Sequence, residues 1–326
     1  MTKKLLLLTT GGTIASVASD DGLRPGESGA ELLKTLGTLP FDVTVKDILE
    51  MDSSNIQPEE WTLIAQEIYQ ARNDYDGIVV SHGTDTMAYT ASMLTFMLEN
   101  INLPVVLTGS QVPMNIPLSD APDNLNLAFT AALDCALGIY LAFNRKVMRG
   151  CRSVKVRTTS FDAFESVNFP LIAQVTSDGF QILQSQPASH GECRLNTTID
   201  TNVSLVKLFP GFDPTLLHAM ADNGCHGIVI EAYGLGGMTF IRRNLVAAVG
   251  KLIRKGIPVI AASLYERSDL TKYEVGQQAL LEGAISAHDM TSECAITKLM
   301  WGLGQGMDIA AISKFFNTDV AGEVTL

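Results

Sequence analysis

The sequence predicts an α/β protein: a larger N-terminal domain on a doubly wound parallel sheet, then a smaller C-terminal α/β domain. Three observations carry this expectation. Uninterrupted Leu, Val and Ile runs of strand length alternate with segments of helical period, as in a parallel sheet with helices on both faces. The alternation halts at a polar stretch and then resumes. The chain has 326 residues, room for two domains of ordinary size.

The elements follow in order. "KKLLLLTT" (Lys3 to Thr10) is the first strand, its four leucines fitting a strand covered on both faces. "DGIVVSHG" (Asp76 to Gly83), "LPVVLTGS" (Leu103 to Ser110) and "GIYLAFN" (Gly138 to Asn144) repeat the pattern. Between them, "PEEWTLIAQEIYQA" sets Trp61, Ile64, Ala65 and Ile68 on one helical stripe, with Pro58 suited to the first turn. "DTMAYTASMLTFMLEN" and "DNLNLAFTAALDCALG" behave similarly. Residues 188–203 are polar, lack an apolar period and are expected to link a domain 1–187 to a domain 204–326. In the second domain "HGIVIEAYG" and "GIPVIAAS" read as strands, and "IRRNLVAAVGKLIRKG" and "TSECAITKLMWGLGQ" as helices.

Composition narrows the function. Apolar residues make up 46% and charged residues 18%, so a large core can form. The net charge of -12 repels phosphate backbones and anionic lipid. The expected ligand is therefore a small molecule, with no nucleic-acid or membrane partner. The five cysteines are odd in number and scattered, which argues against a disulfide framework or a zinc site and for reduced thiols in the cytoplasm. Lys3 and Lys4 before the leucines mimic a signal peptide, but the apolar stretch is short and runs into glycines without a small-residue cleavage site. None of the five histidines has metal-ligand spacing, so neither metal nor cofactor is expected.

Four polar stretches bear chemistry. In "TGGTIAS" (Thr10 to Ser16) a buried strand ends in two glycines and a threonine. Adjacent glycines allow very close approach of backbone or ligand. Thr13 either caps a helix or presents a hydroxyl at the carboxyl end of a strand, where open α/β sheets bind ligands. "SHGTDTMAYTA" (Ser81 to Ala91) again follows a strand. Thr84 or Asp85 can cap the next helix, yet the turn carries His82, Thr84, Asp85 and Thr86 together, more than capping uses. His82 itself reads as a satisfied structural histidine. In "CRSVKVRTTS" (Cys151 to Ser160), Lys155 lies between Val154 and Val156; if the valines face a core, it faces away. It is then either solvated or buried beside a hydroxyl with its pKa lowered, forming a Thr–Lys–Asp set that activates a hydroxyl or a water. In "MDSSN" (Met51 to Asn55), Ser53 and Ser54 are turn formers or donors to a substrate carboxylate.

Taken together, "TGGTI", "DSS", "HGTDTMAYTASML", "LTGSQVP…SDAPDNL", "K-x6-DAFES" and "DMT-x-E…TKL" occur in the order found in bacterial-type L-asparaginases. The chain resembles the cytoplasmic, type I members, nearly end to end, from Leu5 to "AGEVT" at Ala321–Thr325. The resemblance implies hydrolysis of the side-chain amide of L-asparagine to aspartate and ammonia without a cofactor. It implies Thr13 as nucleophile, a second catalytic set of Thr84, Asp85 and Lys155, and a homodimer or dimer of dimers. Its substrate-binding residues fall on Gly12, Asp52, Ser53, Ser54, Thr84, Asp85 and Ser110. One departure stands out: Leu23 occupies about the position where many members carry a tyrosine in a mobile loop. The glycines and prolines of that loop still suggest a lid, and Tyr273 is a candidate substitute. Three rival readings are weighed against this one. The first is the asparaginase-like subunit of the archaeal tRNA-dependent amidotransferase, which carries an extra N-terminal domain before its "TGGT" and whose tRNA partner the acidic charge disfavours. The second, an amino-acid racemase, would need two catalytic cysteines at corresponding strand ends, and these cysteines do not sit at strand ends beside the motifs. The third is a non-catalytic amino-acid sensor.

Overall fold

The structure is a computed structural model that describes residues 2–19, 22–184, 191–263 and 270–326. It divides into two compact units, Met1–Asn196 and Thr197–Leu326. Of the expected linker 188–203, residues 188–190 lie outside the described residues, and Arg194–Leu195 pairs with Leu98–Glu99 in the first unit.

The first unit is built on one eight-stranded sheet. Its strands are β1 (Lys4–Gly11), β2 (Asp42–Met51), β3 (Gly77–Ser81), β4 (Pro104–Thr108), β5 (Gly138–Phe143), β6 (Lys146–Arg149), β7 (Ala173–Thr176) and β8 (Gly179–Ile182). Their order across the sheet is β8-β7-β6-β5-β4-β3-β1-β2. The first five are mutually parallel, and β6 to β8 extend the sheet antiparallel. The parallel part therefore runs 2-1-3-4-5, and its winding reverses between β1 and β3. That is the point at which such sheets open a crevice beyond the carboxyl ends of their strands.

The four leucines of β1 are at most 3% exposed, as expected of a strand covered on both faces. The helices are α1 (Gly29–Leu36), α2 (Pro58–Ala71), α3 (Met87–Met97) and α4 (Ala121–Asp134). In α2 the buried residues are Trp61, Ile64, Ala65 and Ile68, the stripe read from the sequence, and Pro58 begins the helix. One expectation fails: neither Thr84 nor Asp85 caps α3. The cap is Thr86, and its side chain makes no capping bond because Thr86 Oγ1 donates 2.8 Å to the Ser53 carbonyl instead.

The second unit carries a parallel sheet of β9 (Val203–Lys207), β10 (Gly227–Glu231), β11 (Val259–Ala262) and β12 (Ile285–Ser286), in that order. Helices α5 (Thr215–Asp222), α6 (Leu245–Arg254), α7 (Glu274–Leu281), α8 (Ser292–Gly304) and α9 (Ile309–Phe316) complete it. Lys298 of α8 and Glu323 of the closing "AGEVT" form a fully buried ion pair at 2.5 Å. Glu323 also accepts from the backbone N–H groups of Val320 and Ala321, and Lys298 donates to the Thr318 carbonyl, so each buried charge has several partners. A cavity of about 300 Å³ in this unit is lined by Tyr233, Met238, Thr239, Tyr273, Val275 and neighbouring glycines, with no charged side chain. All five cysteines are free thiols. Among the described residues, no helix is long and apolar enough to cross a membrane.

Candidate functional site

The glycines of "TGGT" answer to geometry. Gly11 and Gly12 have φ of +95° and +77°, in the region glycine enters without strain. A Cβ on Gly11 would lie 2.6 Å from the backbone of Met51, and one on Gly12 would lie 2.5 Å from Gly83 Cα. Gly83 is equally confined, since its Cβ would fall 2.5 Å from Ser53 Oγ. The ends of β1 and β2, and the turns after β1 and β3, thus meet backbone against backbone at the winding reversal, while the Ser53 side chain fills the space beside Gly83, so these three glycines leave no room for a Cβ. This brings the Thr13 turn against the Thr84 turn. Thr13 opens a short 3-10 turn and is half-buried, and its hydroxyl makes no hydrogen bond among the described residues. It is the first residue of that turn, whose cap Gly12 has no side chain, so the capping reading of Thr13 does not hold.

The second set is assembled around Lys155. Its ammonium donates to Thr84 Oγ1 at 2.8 Å and to Asp85 Oδ1 at 2.6 Å. Its side chain is 14% exposed, so it is no solvated surface lysine. The sequence argument for its direction fails, however. Val154 is half-buried and Val156 is 38% exposed, so the valines do not face a core. Lys155 ends a three-residue strand, Ser153–Lys155, paired only with Phe164–Ser166 outside the large sheet, and its two partners draw it inward. Asp85 is 56% exposed. An ion pair of that exposure contributes at most ~1 kcal/mol to stability, so stability alone is a poor reason for the arrangement.

Asp85 is held from the "DSS" side as well. Its backbone N–H donates 3.2 Å to Ser53 Oγ, and its Oδ2 accepts 3.4 Å from Ser54 Oγ. Asp52 caps the turn of the two serines by accepting from Ser54 N at 2.8 Å, so its carboxylate is turned into its own loop. Ser53 is buried and Ser54 exposed. Ser110 is buried and its hydroxyl donates to the Val112 carbonyl at 2.6 Å; no hydrogen bond joins it to the Thr84–Lys155 set. Its neighbour Gln111, which the sequence does not single out, does reach the set. Gln111 Oε1 lies 3.5 Å from Thr84 Oγ1, and its amide donates 3.0 Å to the carbonyls of Thr158 and Ser160, in the loop after Lys155.

In the loop before α1, Ser16–Ser19 pairs antiparallel with Gly22–Pro25. Residues 20–21 and the side chain of Leu23 lie outside the described residues. Tyr273, in the second unit, begins α7 as its cap and is 57% exposed. Among the described residues, no group of three His, Cys, Asp or Glu is placed to hold a metal.

His82 is fully buried behind the Thr84 turn, as a structural histidine would be. Burial pushes its imidazole down to about 4 from the ordinary 6.5, against a smaller upward effect of the Gly83 carbonyl. The sign follows directly. Between pH 6.5 and 4 the unfolded chain protonates this ring and the folded chain does not, so stability falls as pH falls through that window. The full effect is about 3 kcal/mol. Urea unfolding at pH 7 and pH 4.5 should show this loss in the wild type and a shallower loss in His82→Gln. Parallel losses in both proteins would remove His82 from the account of acid sensitivity.

The chain matches known proteins along almost its whole length. Residues 4–188 match the family model "Asparaginase, N-terminal", and residues 202–316 match "Glutaminase/Asparaginase C-terminal domain". The chain is 44% identical to an L-asparaginase of Thermococcus kodakarensis over 99% of both proteins. A solved thermostable L-asparaginase from the same organism superposes with a TM-score of 0.94 at 43% identity, again over 99% of each chain. The solved L-asparaginase I of Vibrio cholerae gives 0.89 at 29% identity over the whole of both chains. A glutamyl-tRNA(Gln) amidotransferase subunit from Pyrococcus furiosus is 35% identical, the match covering 98% of this chain but 76% of that protein.

Proposed function

The chain belongs to the asparaginase family, and from that premise we propose that it hydrolyses the side-chain amide of L-asparagine through a threonine nucleophile and a β-acyl-enzyme. The observation that carries the mechanism is the pair of bonds from Lys155 to Thr84 and Asp85, set on a turn that touches the Thr13 turn. An amide is a poor electrophile, and a covalent intermediate splits one hard step into two. Thr13 Oγ1 attacks the side-chain carbonyl carbon, and its proton passes to the departing nitrogen, which leaves as ammonia. Water then attacks the resulting β-aspartyl ester, releasing aspartate and restoring the Thr13 hydroxyl.

Each step needs a place for charge. Backbone N–H groups of the Thr13 and Thr84 turns face the developing oxyanion, a contribution of the order of 3 kcal/mol per donor. The Lys155–Asp85 couple polarises Thr84 and, through it, the attacking water. Asp85 meets the α-ammonium of the substrate, while Ser53 and Ser54 meet its α-carboxylate. Fixing both ends aligns the amide with Thr13. Asp52 shapes the serine turn rather than touching a carboxylate of its own sign. No cofactor enters the scheme. The same reading includes self-association as a homodimer or dimer of dimers and a cytoplasmic location.

Steady-state release of ammonia from L-asparagine by the purified protein tests this reading. Saturable turnover is expected, and a sigmoidal curve would add cooperativity. Binding of asparagine or aspartate without ammonia release would favour a sensor instead.

A further inference from the structure

We infer that His82, Thr90 and Trp61 form a one-directional hydrogen-bond relay that orients the Gly83–Thr84 peptide, making His82 a positioning residue of the oxyanion donor. The inference rests on the proposed asparaginase reading and adds residues that no part of that scheme uses.

The relay has fixed ends. Trp61 Nε1–H, on α2, can only donate, and it donates to Thr90 Oγ1 on α3 at 3.0 Å. The Gly83 carbonyl can only accept, and it stands 2.7 Å from His82 Nδ1. The ring therefore carries its proton on Nδ1. In a neutral imidazole Nε2 is then an acceptor, and Thr90 Oγ1, 2.9 Å away, supplies its only proton there. Every direction from Trp61 to Gly83 is determined, with no alternative arrangement that leaves all partners satisfied. Trp61 is 7% exposed, and Thr90 and His82 are fully buried, so water does not compete for these bonds. The depressed imidazole keeps the ring in this neutral form at ordinary pH.

The consequence lies in the peptide that the relay ends on. In a trans peptide the C=O and the following N–H point in opposite directions. Holding the Gly83 carbonyl against the buried imidazole aims the Thr84 N–H away from it. That N–H makes no hydrogen bond among the described residues, whereas the next one, of Asp85, is taken by Ser53. The relay thus fixes the direction of a donor that no group among the described residues takes up. Donors in an oxyanion site act through such preorganisation, because no reorientation is needed as charge develops.

The test compares Thr90→Val, which keeps the shape and removes the relay, with Thr90→Ser, which keeps the hydroxyl. Melting temperature is recorded for both, and Trp61→Phe serves as a second relay variant if Thr90→Val does not fold. The expected result is a fall in kcat of about tenfold or more for Thr90→Val, a fraction of what loss of a whole oxyanion donor brings. KM should stay within about threefold, since the groups that hold the substrate's α-carbon are untouched. Thr90→Ser should recover most of the kcat. A folded Thr90→Val with wild-type kcat would overturn the relay, as would equal loss in Thr90→Ser, which signals packing alone. Absence of ammonia release from the wild type would be a failure of the asparaginase reading and is distinguished from these outcomes by that control.

Discussion

Thr13→Ala should lose at least ~10³-fold in ammonia release from L-asparagine while keeping its fold. Removing a covalent nucleophile leaves only the binding and electrostatic parts of the site, and those parts by themselves retain a small share of the rate. A factor of that size is about 4 kcal/mol of barrier. Stability should move by less than about 1 kcal/mol. Thr13 is half-buried, its hydroxyl holds no hydrogen bond among the described residues, and its cap position is filled by Gly12, so truncation removes little from the folded state. Steady-state kinetics and urea unfolding of the same preparation check both halves. Substantial turnover by Thr13→Ala would transfer the nucleophile's role to another group. A large loss of stability would mean that the threonine serves the turn and that the kinetic loss is secondary.

Lys155→Met is expected to lower kcat by ~10²–10³ with KM changed only a few-fold, the range that a lost proton-handling group produces. Methionine preserves much of the length and volume of the side chain but donates nothing to Thr84 Oγ1 or Asp85 Oδ1. The stability effect should be small, because the pair with Asp85 is half open to water and worth at most ~1 kcal/mol. A kcat fall without a matching stability fall separates chemistry from scaffolding. Normal kcat with a much raised KM would instead make Lys155 a binding group that acts by holding Asp85 for the substrate ammonium.

The strands and helices that position the site were legible because their burial is nearly complete. Leu5 to Leu8, Ile78 to Val80 and Val105 to Leu107 are fully or almost fully buried, and a strand covered on both faces leaves an unbroken apolar run. The α2 stripe was legible through its period. β2 escaped because it lies at the sheet edge, where half-exposed positions mix Asp, Thr and Lys with Val and Ile. β6 to β8 are four residues each, too short for a pattern to repeat.

At the site, the two glycines spoke for themselves, since close approach is what glycine permits. The direction of Lys155 did not follow from its valine neighbours, because three residues of strand do not make a face and the side chain follows its partners. The capping of α3 does not follow from the sequence for a related reason: Asp85 and Thr86 bond to Ser53 and Ser54 across two turns 31 to 33 residues apart, and a single sequence does not report such pairings. Gln111 and the Trp61–Thr90–His82 relay belong to the same class, polar groups whose meaning lies wholly in long-range partners.

The central claim is that Thr13 carries the acyl group while the Lys155–Thr84–Asp85 set serves it. Acid-quenched enzyme turning over L-asparagine, digested and mapped by mass, reads this directly. The expected result is an aspartyl ester on the peptide containing Thr13, with the peptide containing Thr84 unmodified. An ester on Thr84 with Thr13 unmodified would contradict the account.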